Sequence, residues 1–295
     1  MQGDDPKAIH DLRVATRRLQ QVLGLVYPKP HPAEIRKLFR GLKRCRRSLS
    51  EVRNYDVLLE RVRGALARKR TARREAWEAI REYLEKSRSI RLEKSLRKLA
   101  RANLSAIYVN LKECLPAEEN CIPAAENPGY SGPGQDLTTG NFYARIAEAL
   151  ENVWNALEGE ITQSRQEPDP SALHRTRIAA KRVRYLIEVI HEFDVPGSKE
   201  VLIWLRSLQT QLGNWHDLVV FEEAVIGMIA DPAFLRDHLE MALQIERLIM
   251  RNRAQKAKLE KRYSEITRDK TGFLKTRGWV QRVANSPAAL FARQV

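Results

Sequence analysis

Cysteine is scarce. Cys45, Cys114 and Cys121 are the only three in 295 residues. The number is odd, and no His or Cys stands at metal-ligand spacing from the Cys114–Cys121 pair, so neither a disulfide scaffold nor a structural zinc site is expected. A reducing, cytoplasmic setting is the simplest reading. Long apolar runs are missing too. The uncharged stretch from Ala224 to Ala230 falls far short of the ~20 residues a membrane span needs. The opening Met-Gln-Gly-Asp-Asp-Pro carries no apolar run of the kind a secretory signal uses. Alternating β-branched patterns are absent, as are a Gly-rich phosphate loop, a Gly-x-Ser-x-Gly turn and a His-Glu-x-x-His pair. Glu118–Glu119 and Glu222–Glu223 are adjacent, so on a helix their carboxylates diverge. No catalytic constellation and no metal or cofactor site is expected. Aromatic residues make up only 7% of the chain and do not interleave with the basic runs, which disfavours stacking platforms for bases.

Positive charge is abundant and unevenly placed. The net charge is +15. Residues 1–120 carry a net +14, residues 121–250 a net −8, and residues 251–295 a net +9. A lysine smear for solubility would not partition in this way. A polyanionic partner is implied: nucleic acid, an acidic surface or a phosphate polymer.

Apolar residues recur at threes and fours: Ile9, Leu12, Leu19, Val22, Leu23 and Val26; then Leu38, Leu42, Cys45 and Leu49; then Leu92, Leu96 and Leu99; then Ile146, Leu150, Val153 and Leu157. The spacing predicts an all-α fold. Asp5-Pro6, Asp169-Pro170 and Asp231-Pro232 read as N-caps followed by Pro at the first helical position. Prolines and glycines concentrate between Pro116 and Gly140, which reads as a linker. The organisation expected is a first helical half over residues 1–115, a linker over 116–140, a second half over 141–268 and a tail over 269–295.

A repeat crosses the linker. Asp5, Pro6, Ala8, His10, Arg13, Ala15 and Arg18 recur 164 residues later as Asp169, Pro170, Ala172, His174, Arg177, Ala179 and Arg182. Arg17 recurs as Lys181, with its charge kept. Asp56-Val57 is echoed 161 residues on by Asp217-Leu218. At about 100° per residue, His10, Arg13 and Arg17 share one stripe of a helix and the apolar residues lie opposite. His174, Arg177 and Lys181 repeat that stripe, extended by Arg184. Arg36, Arg40, Lys43, Arg44 and Arg47 form another basic stripe, and Arg91, Lys94, Lys98 and Arg101 a third. Arg247, Arg251, Lys258 and Arg262 form one more. Stacking such stripes gathers like charges, which is unfavourable unless an anion neutralises them. A solvated face is the plainer reading of any one stripe; the recurrence of His, Arg and Arg/Lys in register argues for a site. The five Trp residues read as core, and His31, His191, His216 and His238 as ordinary surface or capping residues.

Ala8-Ile9-His10-Asp11-Leu12-Arg13-Val14-Ala15-Thr16-Arg17-Arg18-Leu19 resembles the signature helix of the CHAD family, the conserved-histidine α-helical domain. Ala172-Leu173-His174-Arg175-Thr176-Arg177-Ile178-Ala179-Ala180-Lys181-Arg182-Val183 resembles its second copy. Arg53-Asn54-Tyr55-Asp56-Val57 and Gln211-Leu212-Gly213-Asn214-Trp215-His216-Asp217 resemble the motifs that follow each. The resemblance implies two antiparallel helical bundles related by pseudo-twofold symmetry around a central basic groove or pore. It also implies non-catalytic binding of inorganic polyphosphate and an association with polyphosphate granules. Family members carry a helix before each His motif; Phe142 to Ile161 matches it in the second half, while only five residues precede Pro6. The contacts expected are His10, Arg13, Arg17, His174, Arg177 and Lys181, with Arg18, Arg182, Arg184, Arg40, Lys43, Arg44, Arg47, Lys94, Lys98 and Arg101 extending the track. Two competing readings use the same residues: nucleic-acid binding, and phosphotransfer with His10 or His174 as nucleophile.

Overall fold

A computed structural model describes residues 5–27, 30–114, 139–167, 169–268 and 272–286. Most of the expected linker, residues 116–138, and the end of the tail, residues 287–295, lie outside the described residues. The described residues form eleven helices and no strand. In chain order they are α1 (Pro6–Val26), α2 (Ala33–Ser48), α3 (Ser50–Leu66), α4 (Arg74–Ala100), α5 (Leu104–Cys114), α6 (Thr139–Gln166), α7 (Pro170–His191), α8 (Ser198–Ile229), α9 (Pro232–Asp237), α10 (Leu239–Arg268) and α11 (Gly272–Asn285). None is long and apolar enough to cross a membrane.

The caps follow the sequence closely. Asp5 accepts a 2.8 Å hydrogen bond from the Lys7 N–H and Asp231 a 3.0 Å bond from the Ala233 N–H, each satisfying a first-turn donor. Asp169 holds the same extended N-cap backbone, but its carboxylate accepts from the Ser171 hydroxyl instead. The apolar stripes pack inward with two exceptions: Val22 and Leu96 face solvent.

The second half is wound round one core. Helix α7 packs between α6 and α8, α8 packs on α10, and α11 covers α6 and α8. The buried residues run from Ile146 and Leu150 through Trp154, Val183 and Ile187 to Leu205, Leu212 and Trp215. Helix α11, in the segment the sequence leaves outside the repeat, adds Trp279, Val280 and Val283 to this core. Its indole N–H donates to the Pro196 carbonyl at 2.7 Å. Gly197 permits that approach: it holds φ +83°, and a Cβ there would meet Trp279 Cδ1 at 2.9 Å.

In the first half, α1 packs on α2, α2 on α5, and α3 on α4. Its private clusters are small, one around Ile9, Leu49 and Val52 and one around Leu23, Leu38 and Leu42. The rest of its apolar surface is shared. Leu58, Leu59, Ile80 and Leu84 pack with Phe221, Val225, Ile245 and Ile249 of α8 and α10. Leu25 of α1 enters the core of the second half. The contacts α1–α6, α1–α7, α3–α8 and α4–α10 bring the two His-bearing helices against each other.

Candidate functional site

Helices α1 and α7 pack against each other, and their basic stripes meet at the seam. Arg17 of α1 donates a 2.5 Å hydrogen bond to the Tyr185 hydroxyl of α7. The guanidinium carbons of Arg17 and Arg184 lie 5.2 and 5.0 Å from the Tyr185 ring centroid, close enough for both cations to interact with the ring's π face. Tyr185 itself is only 6% exposed. Arg13 reaches across to α2 and α3, donating at 2.7 Å to both the Arg46 carbonyl and the Ser50 hydroxyl. Arg46 turns back to donate to Gln20 of α1.

The result is a half-buried knot of cations from both halves. Burial pushes Lys181 down to about 7, and the guanidinium groups of Arg177, Arg17, Arg184 and Arg13 push in the same direction. Burial lowers Arg13 to about 10, with Arg17, Arg46 and Arg53 contributing. Arg177 is lowered mainly by burial, opposed by Asp217, and its buried Nε has no hydrogen-bond acceptor among the described residues. Asp217 is the carboxylate inside the knot. Burial raises its pKa, while Arg177, Lys181, Arg53 and Arg61 pull it back. Asp217 at the centre and Glu188 at the rim beside Arg184 do not balance so many cations, which leaves a net positive site that an anion can neutralise.

His174 stacks obliquely on His216 of α8, with ring centroids 5.2 Å apart. Burial, then Arg177 and Lys181, lower His174. Burial, then Arg177, His174 and Lys181, push His216 down to about 3. Both rings are neutral at pH 7 and offer one N–H donor each.

The structure thus unites Arg13, Arg17, His174, Arg177, Lys181 and Arg184. It leaves His10 exposed on α1 without a hydrogen bond or ion pair to any described residue. Arg18 and Arg184 flank Glu188 at 3.7 and 3.6 Å, so Arg18 sits on the rim, and Arg182 is exposed. Arg40, Lys43, Arg44, Arg47, Lys98 and Arg101 gather in a separate pocket between α2 and α4. Lys94 joins neither group. Arg91 of the same stripe lies over Tyr55 at 4.5 Å and pairs with Glu51 at 3.6 Å.

Sequence reasoning missed Arg46, Arg53, Tyr185, Asp217 and His216. The reading of His216 as an ordinary surface or capping residue is corrected, because it is packed beside His174 at the centre of the knot. His216, Asp217 and Arg53 all sit in the short motifs that trail each repeat, and that was the available signal. The other three histidines do have local roles: His31 Nδ1 lies 2.8 Å from the Tyr27 carbonyl, His191 Nδ1 lies 2.8 Å from the Ser198 hydroxyl, and His238 packs on Phe234.

No curated protein matches the sequence. Among solved structures, the crystal structure of the CHAD domain from the plant Ricinus communis superposes with a TM-score of 0.58 at 21% identity, covering 90% of this chain and 82% of that one. At that identity the likeness speaks to the fold. The sequence model of the CHAD domain matches residues 1–225, a span that takes in both His-bearing helices and the knot between them, and with it the chain belongs to the CHAD family.

Proposed function

We propose that this protein binds inorganic polyphosphate, without catalysis, in a basic groove between two helical bundles related by a pseudo-twofold axis. The family is associated with polyphosphate in general. The order of helices supports the axis: α1 corresponds to α7, the broken pair α2–α3 to the single α8, α4 to α10, and α5 to α11. The observation that carries the reading is the meeting of both repeats on one half-buried cation cluster, in which Lys181 is depressed by burial and then by arginines from α1 and α7 alike.

The mechanism is electrostatic. A linear polymer with about one negative charge per phosphate exchanges its counterions for the fixed guanidinium and ammonium groups, so affinity falls steeply with salt. Arg13, Arg17 and Arg177 offer planar forks to phosphoryl oxygens, and each charge-assisted bond contributes about 1.5–3 kcal/mol. Arg177 Nε is buried and without an acceptor among the described residues, so a turn of its side chain would offer one further donor to such an oxygen. The protein would act in the cytoplasm at polyphosphate granules.

The test is a competition titration of polyphosphate against duplex DNA and RNA at matched phosphate and salt. Polyphosphate should win. Arg13→Glu with Arg17→Glu should weaken binding about as much as Arg177→Glu with Lys181→Glu. Reversing Arg74 and Arg97, exposed residues held by Glu78 and Glu93, should do far less. Equal loss from that control would mean that net charge, and not the groove, drives association.

A second reading rests on the neutral His174–His216 pair beside Arg177 and Lys181. A neutral imidazole next to phosphate-binding cations is a competent phosphoryl acceptor. Incubation with polyphosphate or nucleoside triphosphates, with and without Mg²⁺, is expected to release no phosphate above background; turnover that vanishes in His174→Ala would favour this reading.

A further inference from the structure

The pocket between α2 and α4 is not an extension of the central knot. It encloses about 570 Å³ and is lined by Arg40, Lys43, Arg44, Arg47, Lys98 and Arg101, with Ser48 as the one uncharged residue. On α2, Arg46 faces Gln20 and Arg13 of α1. Lys43, Arg47, Arg40 and Arg44 lie about 60°, 100°, 120° and 160° from it around the helix. The body of α2 therefore separates the two groups.

Six cations line this pocket and no carboxylate does. None of the six forms an ion pair with a described residue. The nearest acid along α4, Glu93, is engaged by Arg97. Helix ends explain part of the arrangement. Arg47 stands in the last turn of α2 and Lys98 in the last turn of α4, where the negative ends of the helix dipoles stabilise cations. Arg40 and Lys43 lie before that turn and gain little from it. Six like charges around one concavity repel each other, and an anion held among them removes that repulsion.

The lining chemistry narrows the ligand. Ser48 donates its hydroxyl proton to the Arg44 carbonyl at 2.9 Å, so the donors facing the pocket are the cations themselves. No aromatic side chain lines it, which removes any platform for a nucleobase. Four arginines supply planar forks matched to phosphoryl oxygens, and two lysines supply point charges. The volume lies in the range of small-molecule sites. The second half carries no equivalent: along the N-terminal half of α8 the basic residues are Lys199 and Arg206, with Glu200 beside the first.

We propose that this pocket is a second, independent binding site, taking a compact anion with three or more clustered phosphoryl groups. The same chemistry is offered by a short linear polyphosphate and by a polyol bearing several phosphates. The site does not depend on the central groove.

Calorimetric titration of the full chain with tripolyphosphate, at neutral pH and physiological salt, tests it. Two sites per chain are expected. Arg44→Ala/Arg47→Ala/Lys98→Ala should weaken one of them at least 100-fold and leave the other unchanged. Arg13→Ala/Arg177→Ala/Lys181→Ala should do the converse. Adenosine triphosphate should bind the pocket no tighter than tripolyphosphate. Inositol hexakisphosphate distinguishes the source: a tenfold preference for it assigns the pocket to polyol phosphates, and the reverse preference to linear ones. The altered pocket residues are exposed, and the surviving central site reports that the variant is folded. A single site in the unaltered protein that the pocket variant leaves intact overturns the proposal. So does a pocket variant that keeps both sites, or one that loses both while its helical circular dichroism is unchanged. If only the central variants are without effect, the groove reading fails and the pocket stands.

Discussion

Trp154, Trp215 and Trp279 are all buried in the core that α6, α7, α8, α10 and α11 build, and Trp204 packs against that core from its edge. Helices α1–α5 hold one tryptophan, Trp77, and it packs on Phe221 of the other half, with ring centroids 5.7 Å apart. The same five helices carry most of the excess positive charge, whereas residues 121–250 are net negative. Apolar burial and cationic charge are thus divided between the halves. A dense core supplies rigidity on one side, and the charged side leans on it through Leu25 and the α3–α4 face. The binding knot is the exception, drawn from both.

The division is tested first by truncating cores. Trp154→Ala removes a side chain that is 2% exposed and should destabilise the protein by about 3–5 kcal/mol. Ile9→Ala, in the small cluster with Leu49 and Val52, should cost about 2 kcal/mol, at the low end for such changes. Denaturant midpoints measure both, and comparable losses would dissolve the contrast between the halves.

Titration sharpens it next. Lys181 sits near 7 in the free protein, below its ordinary 10.5. The unfolded chain therefore binds more protons than the folded one between those values, and folding stability should rise as pH rises across that window. A bound polyanion stabilises the ammonium and raises the folded pKa. Affinity is then fully present below about 7 and is lost as pH rises through the value in the complex. Stability of the free protein and affinity for polyphosphate should run in opposite directions from pH 7 to 9, and Lys181→Arg should flatten both. His174 and His216 are lowered and titrate below this window, and Arg13, near 10, above it. Matching slopes in the Lys181→Arg variant would show that another group is responsible.

The smallest effect concerns the rim. Arg18 pairs with Glu188 at 3.7 Å while its own side chain is 64% exposed, so Arg18→Ala should change stability by less than about 0.5 kcal/mol. Glu188→Gln should tighten polyphosphate binding severalfold, because it releases Arg18 and Arg184 together. A weaker complex would mean that Glu188 positions those arginines.

The fold was legible because helical spacing, Asp-Pro caps and the repeat act locally and agree with one another. The pairing of Arg17 with Lys181 was legible for the same reason: both sit at one phase of equivalent helices. Other features depend on contacts far apart in sequence. Arg46 lies off the main stripe of α2, and only the packing of α1 gives it a partner. Tyr185 looks like one more apolar position until Arg17 approaches from 168 residues away. Asp56 and Asp217 are equivalent in the repeat, yet Asp56 is taken by Arg88 at 2.6 Å while Asp217 stays among the cations. Repeat symmetry cannot report where symmetry breaks. The α11 helix escaped notice because its burial depends on Gly197 and the Pro196 carbonyl, which the local sequence does not advertise.

Leu25 has a consequence measured in time. It belongs to a core that closes only with Val283, 258 residues further along the chain. At synthesis rates of about 5–20 residues per second, the first helix waits roughly 10–50 s for its partners. During that interval α1 is a nascent, strongly cationic helix with an uncovered apolar stripe, emerging among ribosomal phosphates. Its Asp5 cap and its neighbour α2 are what it has to hold it, and the arrival of α11 releases α1 from that wait.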